Sequence, residues 1–362
     1  MKNPTLLVVV AIVIGIMILP VAQTTKLVLS IFTLLIILYV KRGYIFVAIG
    51  SRLLSGKNPN PEKGWRYYEM GWRAGLPPKY TIMLGNLFVQ RGDAHVALQI
   101  YDSVINKQLK ARTKDGEIIA SAKISKSMAL WVLDKKEEAI DSLQVLREEG
   151  RMDANLAVNL GSYLLEMGRL DEVKSLIDES TEQLPESPGM TDNRGHYLYL
   201  TGALHEAQRL YDVFITDGTP RFPEAYVHAA QVKIALGKHR TAVVLLRKAL
   251  ECPFYQITTV KEEDVSQMLS EQKELAESAV NEDELIEDVL ERALYEDEVI
   301  DEDFPNTDID EDDEVEPNIE LTPEDYKDET DPEVLIDPED VSELESVLFD
   351  DDYDGVDDHD KK

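Results

Sequence analysis

Apolar positions follow three regimes along the chain, and each predicts a different kind of element. Residues 5–22, TLLVVVAIVIGIMILPVA, form an uncharged run close to the roughly 20 residues that span a hydrocarbon core, and LVLSIFTLLIILYV at 27–40 forms a second after the polar joint QTTK. Together they predict a helical hairpin anchor over 1–42. From about 78 to 256, apolar residues recur at helical spacing between short polar breaks, which predicts a row of amphipathic helices. Beyond 298 the chain is acidic and punctuated by proline, with too little apolar surface to offset the entropy of ordering, so 299–362 is expected to be disordered.

Positive charge orients the anchor. Lys2 precedes the first run, Lys26 lies in the joint, and Lys41, Arg42, Arg52 and Lys57 follow the second, a distribution that keeps both ends on the cytoplasmic side of a membrane crossed twice. In a bacterium that would be the inner membrane. Two alternatives stand beside this reading: a re-entrant hairpin, and a signal peptide cleaved near Ala22, where Pro20 occupies the −3 position that wants a small residue. Residues 43–77 are rich in aromatics, with Trp65, Tyr67, Tyr68 and Trp72. They fit an interfacial belt or a cap on the first of the following helices.

The middle of the chain repeats. LGNLFVQRGDAHVALQIYDSV at 84–104, LGSYLLEMGRLDEVKSLIDES at 160–180 and RGHYLYLTGALHEAQRLYDVF at 194–214 align without a gap, with weaker copies around Lys126 and from Ala229. A small residue in the first helix of each copy (Gly85, Ser127, Gly161, Gly195, Ala230) and another residue in the second (Ala97, Ala139, Val173, Ala207, Ala242) both step by 42, 34, 34 and 35 residues. Small residues let two antiparallel helices approach, and Phe88, Leu164, Tyr101, Ile177 and Tyr211 are expected to fill the gaps between hairpins. Gly92, Gly168 and Gly202 are placed for left-handed caps between the two helices, and Pro185, Pro220 and Pro253 mark the exits of second helices. The extra residues between the first two copies fall in KQLKARTKDG, where a longer loop is expected.

These landmarks resemble the tetratricopeptide repeat family over about 78–256, although the aromatic usual at the fourth position is replaced by Thr81, Lys123, Ala157 and Thr191 and kept only as Tyr226. The resemblance implies an all-α solenoid of about five helix-turn-helix repeats whose first helices line a concave, partner-binding groove. Carried over position by position, that groove holds Ile82, Asn86, Met128, Trp131, Val158, Ser162, Leu165, His196, Tyr199 and Gln231. For any one of them, packing between helices is the alternative role. The basic positions with which some family members clamp a C-terminal carboxylate are not basic here.

Charge then changes the picture of the C-terminal part. Residues 261–362 hold 44 acidic and 6 basic residues, whereas 1–260 hold 26 and 31, so the chain's net −33 belongs to the tail. Residues 257–298 read as capping helices, opened by Thr259 and Glu262 at capping-box spacing and carrying Val265, Met268, Leu269, Leu275, Ala276 and Val280 on one face. Within the tail, 337–351 places Val341, Leu344, Val347 and Leu348 along one side of a potential helix, a candidate ligand for a partner or for the chain's own groove. Asp350, Asp352, Asp354 and Gly355 open like a calcium loop, but Lys361 stands where a bidentate glutamate belongs. Diffuse attraction of divalent cations and basic proteins suits these carboxylates better.

Candidate chemistry is sparse. Cys252 is the only cysteine, and the six histidines show no helix-borne zinc spacing and read as surface residues. No nucleophile-base constellation, phosphate-cradling loop or cofactor motif is present, so no cofactor and no catalysis are expected. No folded stretch is basic enough to suggest nucleic acid. The expected function is a membrane-anchored scaffold that binds proteins through the groove, with an acidic chaperone-like or nucleic-acid-mimicking tail as the alternative.

Overall fold

The computed structural model describes residues 20–55, 59–218 and 220–278 together with Gly15 and Ile18. Among these the regular elements are fourteen α-helices. The first apolar run falls almost wholly outside the described residues, as do the entire acidic tail and its Val341, Leu344, Val347 and Leu348. The helices are α1 (Gln23–Val40), α2 (Arg42–Ser55), α3 (Pro61–Gly75), α4 (Pro78–Arg91), α5 (Ala94–Lys110), α6 (Gly116–Val132) and α7 (Lys136–Glu148), followed by α8 (Ala154–Glu166), α9 (Leu170–Gln183), α10 (Pro188–Leu200), α11 (Leu204–Gly218), α12 (Pro223–Ala235), α13 (His239–Glu251) and α14 (Glu262–Ser278). Two compact units divide the chain within α6, the first ending at Lys126 and the second beginning at Ser127.

In the first unit, α1 starts inside the QTTK joint, so its 18 residues reach about 27 Å at 1.5 Å per residue, near the thickness of a hydrocarbon core. Its mean hydropathy is 1.8 and none of it is buried. Among the described residues it is the one helix long and apolar enough to cross a membrane, a character shared by membrane spans and signal sequences.

After Lys41 the chain turns directly into α2, which runs antiparallel to α3 at unusually short range. Gly43 and Gly50 face Gly71 and Gly64 across the pair: a Cβ on Gly43 would lie 3.1 Å from the Gly71 carbonyl oxygen, and one on Gly64 would lie 2.7 Å from Leu54. Because no side chain separates the backbones, Val47 and Tyr68 become almost fully buried and Ser51 Oγ shares a 3.0 Å hydrogen bond with Tyr68 Oη. Asn60 caps α3 by accepting from Lys63 N, with Pro61 in the first turn.

This hairpin packs against α4. The Trp65 ring lies 4.9 Å from Phe88, and Tyr44 meets Tyr80 edge-on at 5.9 Å. Trp65 also explains Gly92, which is not the left-handed cap expected of it: its φ is −115°, and a Cβ there would meet the Trp65 ring at 3.0 Å. Gly92 makes room rather than a turn. Half of KQLKARTKDG, expected as a longer loop, is helix instead, and the loop is only 111–115. α5 and α6 each extend to 17 residues, with Lys107 and Lys110 favourably placed at the negative end of α5 and Asp115 Oδ1 accepting from Glu117 N and Ile118 N at the start of α6.

In the second unit the repeat is explicit in the backbone. Each turn between a first and a second helix carries one left-handed residue (Asp134, Gly168, Gly202, Gly237), and the amide just after it donates to the carbonyl five residues back. Lys135 reaches Leu130, Arg169 reaches Leu164, Ala203 reaches Leu198 and Lys238 reaches Lys233, all at 2.8–2.9 Å. First helices of successive hairpins touch: α8 packs on α10 and α10 on α12. The second helices α7 and α9 are instead bridged by long polar side chains, with Gln144 donating to Glu172 (2.7 Å), Arg147 to Glu179 (2.6 Å) and Arg169 to Glu137 (3.3 Å). First helices therefore form the tighter, inner layer.

Tyr211 is fully buried over Gly195, within its own hairpin. In the hairpin before it, Ile177 stands where that tyrosine would be and remains half-buried; Gly161 is approached by Asn193 of the next hairpin, and a pocket of about 240 Å³ opens beside them. The terminal α14 packs on α13, closing the apolar end of the stack. Val265 and Leu269 are buried as expected, but Leu275 is 45% exposed, and Gln272 takes the inward place, its Oε1 accepting from His239 Nδ1 at 2.7 Å. Thr259 does not open a capping box. Glu262 is already the first helical residue, and the Thr259 amide is drawn to the Glu224 carboxylate at 2.8 Å.

Candidate functional site

The groove positions read from the sequence separate into two groups. Ile82, Val158 and Leu165 are more than nine-tenths buried and serve packing. Asn86, Met128, Trp131, Ser162, His196, Tyr199 and Gln231 are half-buried. Asn86 accepts from Tyr101 Oη at 2.7 Å, and Ser162 donates to Asn193 at 2.9 Å. Trp131 stacks flat on Tyr163 at 4.2 Å with the Lys136 ammonium 5.1 Å from its ring, which fixes the indole at the surface of the inner layer. The buried Oε1 of Gln231 accepts no hydrogen bond among the described residues.

A buried ionic cluster lies beside His196 and Tyr199. The Asp192 carboxylate on α10 lies 3.0–3.1 Å from His228 Nδ1 on α12 and accepts from Tyr211 Oη on α11 at 2.8 Å. His196 stacks on His228 at 3.8 Å, and Tyr199 follows at 6.2 Å from His196. His228 and His196 are thus not the surface residues expected of them, because Asp192 supplies the counter-charge that lets His228 be buried, whereas His95 and His205 are exposed as expected.

Burial alone would raise the Asp192 carboxyl, but the facing His228 ring and the bonds to it and Tyr211 outweigh burial and hold it down. Burial likewise depresses His228 and the Asp192 carboxylate reverses that, so His228 is raised and carries a proton more readily than a free histidine. His196, desolvated and facing that charge, is pushed down to about 3 and stays neutral. Nearby, Lys233 is fully buried, 2.7 Å from the Asp212 carboxylate.

Asp192 and His228 were absent from the sequence-derived groove, yet one signal pointed at them. The position three before the small residue of each copy is Ile82, Ile124, Val158 and Val227 in the first, second, third and fifth copies and Asp192 in the fourth. A lone charge at an apolar position requires a partner. The next position supplies it: Asn193 Nδ2 donates to the Val158 carbonyl of the preceding hairpin (2.9 Å), and His228 makes the same step back to Asp192.

Glu224, in the first turn of α12, is pushed by burial up to about 7, with the Thr259 amide opposing. A raised carboxyl contributes stability that is fully present below its unfolded value, near 4.3, and lost as pH rises through about 7. Glu224→Gln keeps an acceptor for Thr259 but cannot titrate. The variant should therefore gain on the order of 2 kcal/mol over the native chain at pH 8 and little at pH 4.5, read from urea unfolding at the two pH values.

Among the described residues no three His, Cys, Asp or Glu side chains are grouped to hold a metal ion. The class of protein these features define is a helical-repeat protein built of antiparallel hairpins. No protein-family model and no curated protein matches the sequence. Among solved structures, the chain is similar to a thermophilic tetratricopeptide repeat protein of Thermus thermophilus, at 15% identity and a TM-score of 0.42, over 54% of this chain and 99% of that one. It is also similar to a tetratricopeptide repeat protein of Parabacteroides merdae (14% identity, TM-score 0.38, 64% of this chain and 99% of that one). A third is the TPR2AB domain of yeast Sti1 in its complex with pHSP90 (15% identity, TM-score 0.26, 64% and 98%).

Proposed function

We propose that this protein is a non-catalytic, membrane-anchored scaffold that binds extended segments of partner proteins along the first helices of its repeats. In this reading 1–42 anchors the chain, 43–77 joins the anchor to the repeats, 78–256 forms the array, 257–298 covers its end, and 299–362 is an acidic extension in the cytoplasm. The observation that carries the reading is the inner layer of the second unit, where Trp131, His196, Tyr199 and Gln231 stand half-buried and Gln231 keeps a buried acceptor with no partner among the described residues. Aromatic rings fixed by stacking offer contact area without loss of side-chain entropy, and a buried acceptor wants an N–H such as a peptide amide. The rigidity of the Asp192–His228 cluster keeps that surface in one arrangement.

The test is affinity capture from membranes with the full chain, a Trp131→Ala/Tyr199→Ala chain and a chain ending at Val280. Groove binding predicts that partners are lost, on the order of tenfold or more, from the double variant and kept by the truncated chain. Partners kept by the double variant and lost on truncation would assign binding to the acidic tail instead.

A further inference from the structure

We infer that the free side of the α2–α3 hairpin is a binding surface for anionic phospholipid headgroups, laid on the bilayer into which α1 inserts; this rests on the membrane attachment proposed above. The hairpin has two broad sides. Tyr44 and Trp65 occupy one, against Tyr80 and Phe88 of α4. On the other, Phe46, Ile49 and Leu53 recur at i, i+3 and i+7 along α2, and Tyr67 and Met70 recur at i and i+3 along α3. Phe46 and Tyr67 meet across the hairpin with ring centroids 6.2 Å apart. Ile49 is 36% exposed and Met70 is 41% exposed, with nothing among the described residues covering them.

Cations rim this apolar side. On α2, Arg42 stands four residues before Phe46 and Arg52 three after Ile49; on α3, Lys63 stands four before Tyr67, Arg66 next to Tyr67, and Arg73 three after Met70. Between 41 and 80 the sequence has eight basic and two acidic residues, which reverses the balance of the chain as a whole. An apolar strip bordered by long cationic side chains is the pattern of a helix lying in the interface. Its hydrocarbon reaches the acyl boundary while the charges extend to phosphate level.

Two further features point to a bilayer as the occupant. Only Lys41 separates the apolar α1, none of whose residues is buried, from α2, so the strip is held at the end of the one described helix suited to crossing a membrane. At that junction Arg42 sits 4.0 Å from the Tyr39 ring and donates to the Tyr39 carbonyl at 2.6 Å, an aromatic-cation pair at the depth where headgroups begin. The acidic residues in this stretch, Glu62 and Glu69, are too few to neutralise the rim, and Glu69 is already paired with Arg73 at 3.0 Å. A zwitterionic surface would satisfy the apolar strip alone. An anionic one satisfies strip and rim together.

The full chain, with Cys252→Ser, is reconstituted into phosphatidylcholine bilayers with or without phosphatidylglycerol. A fluorophore is placed through Leu35→Cys in α1, Ile49→Cys in α2, Met70→Cys in α3 or Leu109→Cys in α5, and quenching by lipids spin-labelled near the headgroup or along the acyl chain is measured. The expected result is quenching of the Leu35 label in both bilayers, none at Leu109, and quenching at Ile49 and Met70 that requires phosphatidylglycerol. Arg52→Glu and Arg66→Glu should each lower the docked-to-free ratio on the order of fivefold. Quenching at Leu35 without quenching at Ile49 or Met70 overturns this inference while leaving the anchor intact, and assigns the face to another partner. Equal quenching in the two bilayers overturns the anionic preference. Absence of quenching at Leu35 overturns the anchor and this surface with it.

Discussion

Truncating Asp192 to alanine is expected to destabilise the second unit by about 3–5 kcal/mol. The carboxylate is the shared partner of His228 Nδ1 at 3.0 Å and of Tyr211 Oη at 2.8 Å, and all three residues are buried. Alanine would leave an imidazole and a phenol without partners in a low-dielectric interior, together with the volume of the lost carboxyl. Urea unfolding of the detergent-solubilised chain should show the loss, and hydrogen exchange should place it in α10, α11 and α12. Asp192→Asn keeps an acceptor for Tyr211 and should be milder.

The pH dependence of this pair has a definite sign. His228 is raised, so its contribution is fully present below about 6.5 and is lost as pH rises through its folded value. Asp192 is lowered, so its contribution is present above about 3.9 and is lost as pH falls through its folded value. Asp192→Asn should therefore differ most from the native chain between about pH 4 and 6.5. A difference that grows steadily toward pH 9 would contradict the charged pair.

The second large effect is expected at Gly50. Leucine there should separate α2 from α3 and destabilise the first unit by about 1–3 kcal/mol or more. A Cβ at this position would enter the Tyr68 ring and sit 3.1 Å from the Gly64 carbonyl oxygen. The ring is the far end of a side chain, but the carbonyl is backbone and cannot swing away. Relief requires the helices to part, which breaks the Ser51–Tyr68 hydrogen bond and uncovers Val47. Faster amide exchange across 42–75, with exchange in α8–α13 unchanged, is the signature to measure. Gly15→Leu, outside this hairpin and with nothing among the described residues within 4 Å of its Cβ, serves as the control.

Much of the helical hairpin order was legible because it is local. The small-residue series from Gly85 to Ala230 lies on first helices throughout, and Gly168 and Gly202 take the left-handed turns expected of them, with φ of 68° and 81°. Pro185, Pro220 and Pro253 each stand two residues beyond the end of a second helix. These features depend on neighbours within one or two turns, so composition and spacing carry them. Gly92 misled because a glycine needed for a left-handed turn and one needed for close approach look the same in a sequence. The extra helix in α5 and α6 was hidden for a related reason: lysine and arginine are good helix formers, and a basic stretch does not announce whether it is a loop.

What the sequence determined by itself was the helical class, the repeat register, the apolar N-terminal stretch and the segregation of charge into the tail. Each follows from periodicity or composition, which need no knowledge of which side chains meet. The tertiary structure alone decided that Asp192 and His228 pair, that His196 stacks on His228, that Ile82, Val158 and Leu165 are consumed by packing, and that α2 and α3 meet glycine to glycine. Those contacts join residues a helix or a repeat apart. Their formation depends on side-chain volume and desolvation at one place in the fold, where an ion pair one bond length longer, or a methyl group more, would favour another arrangement.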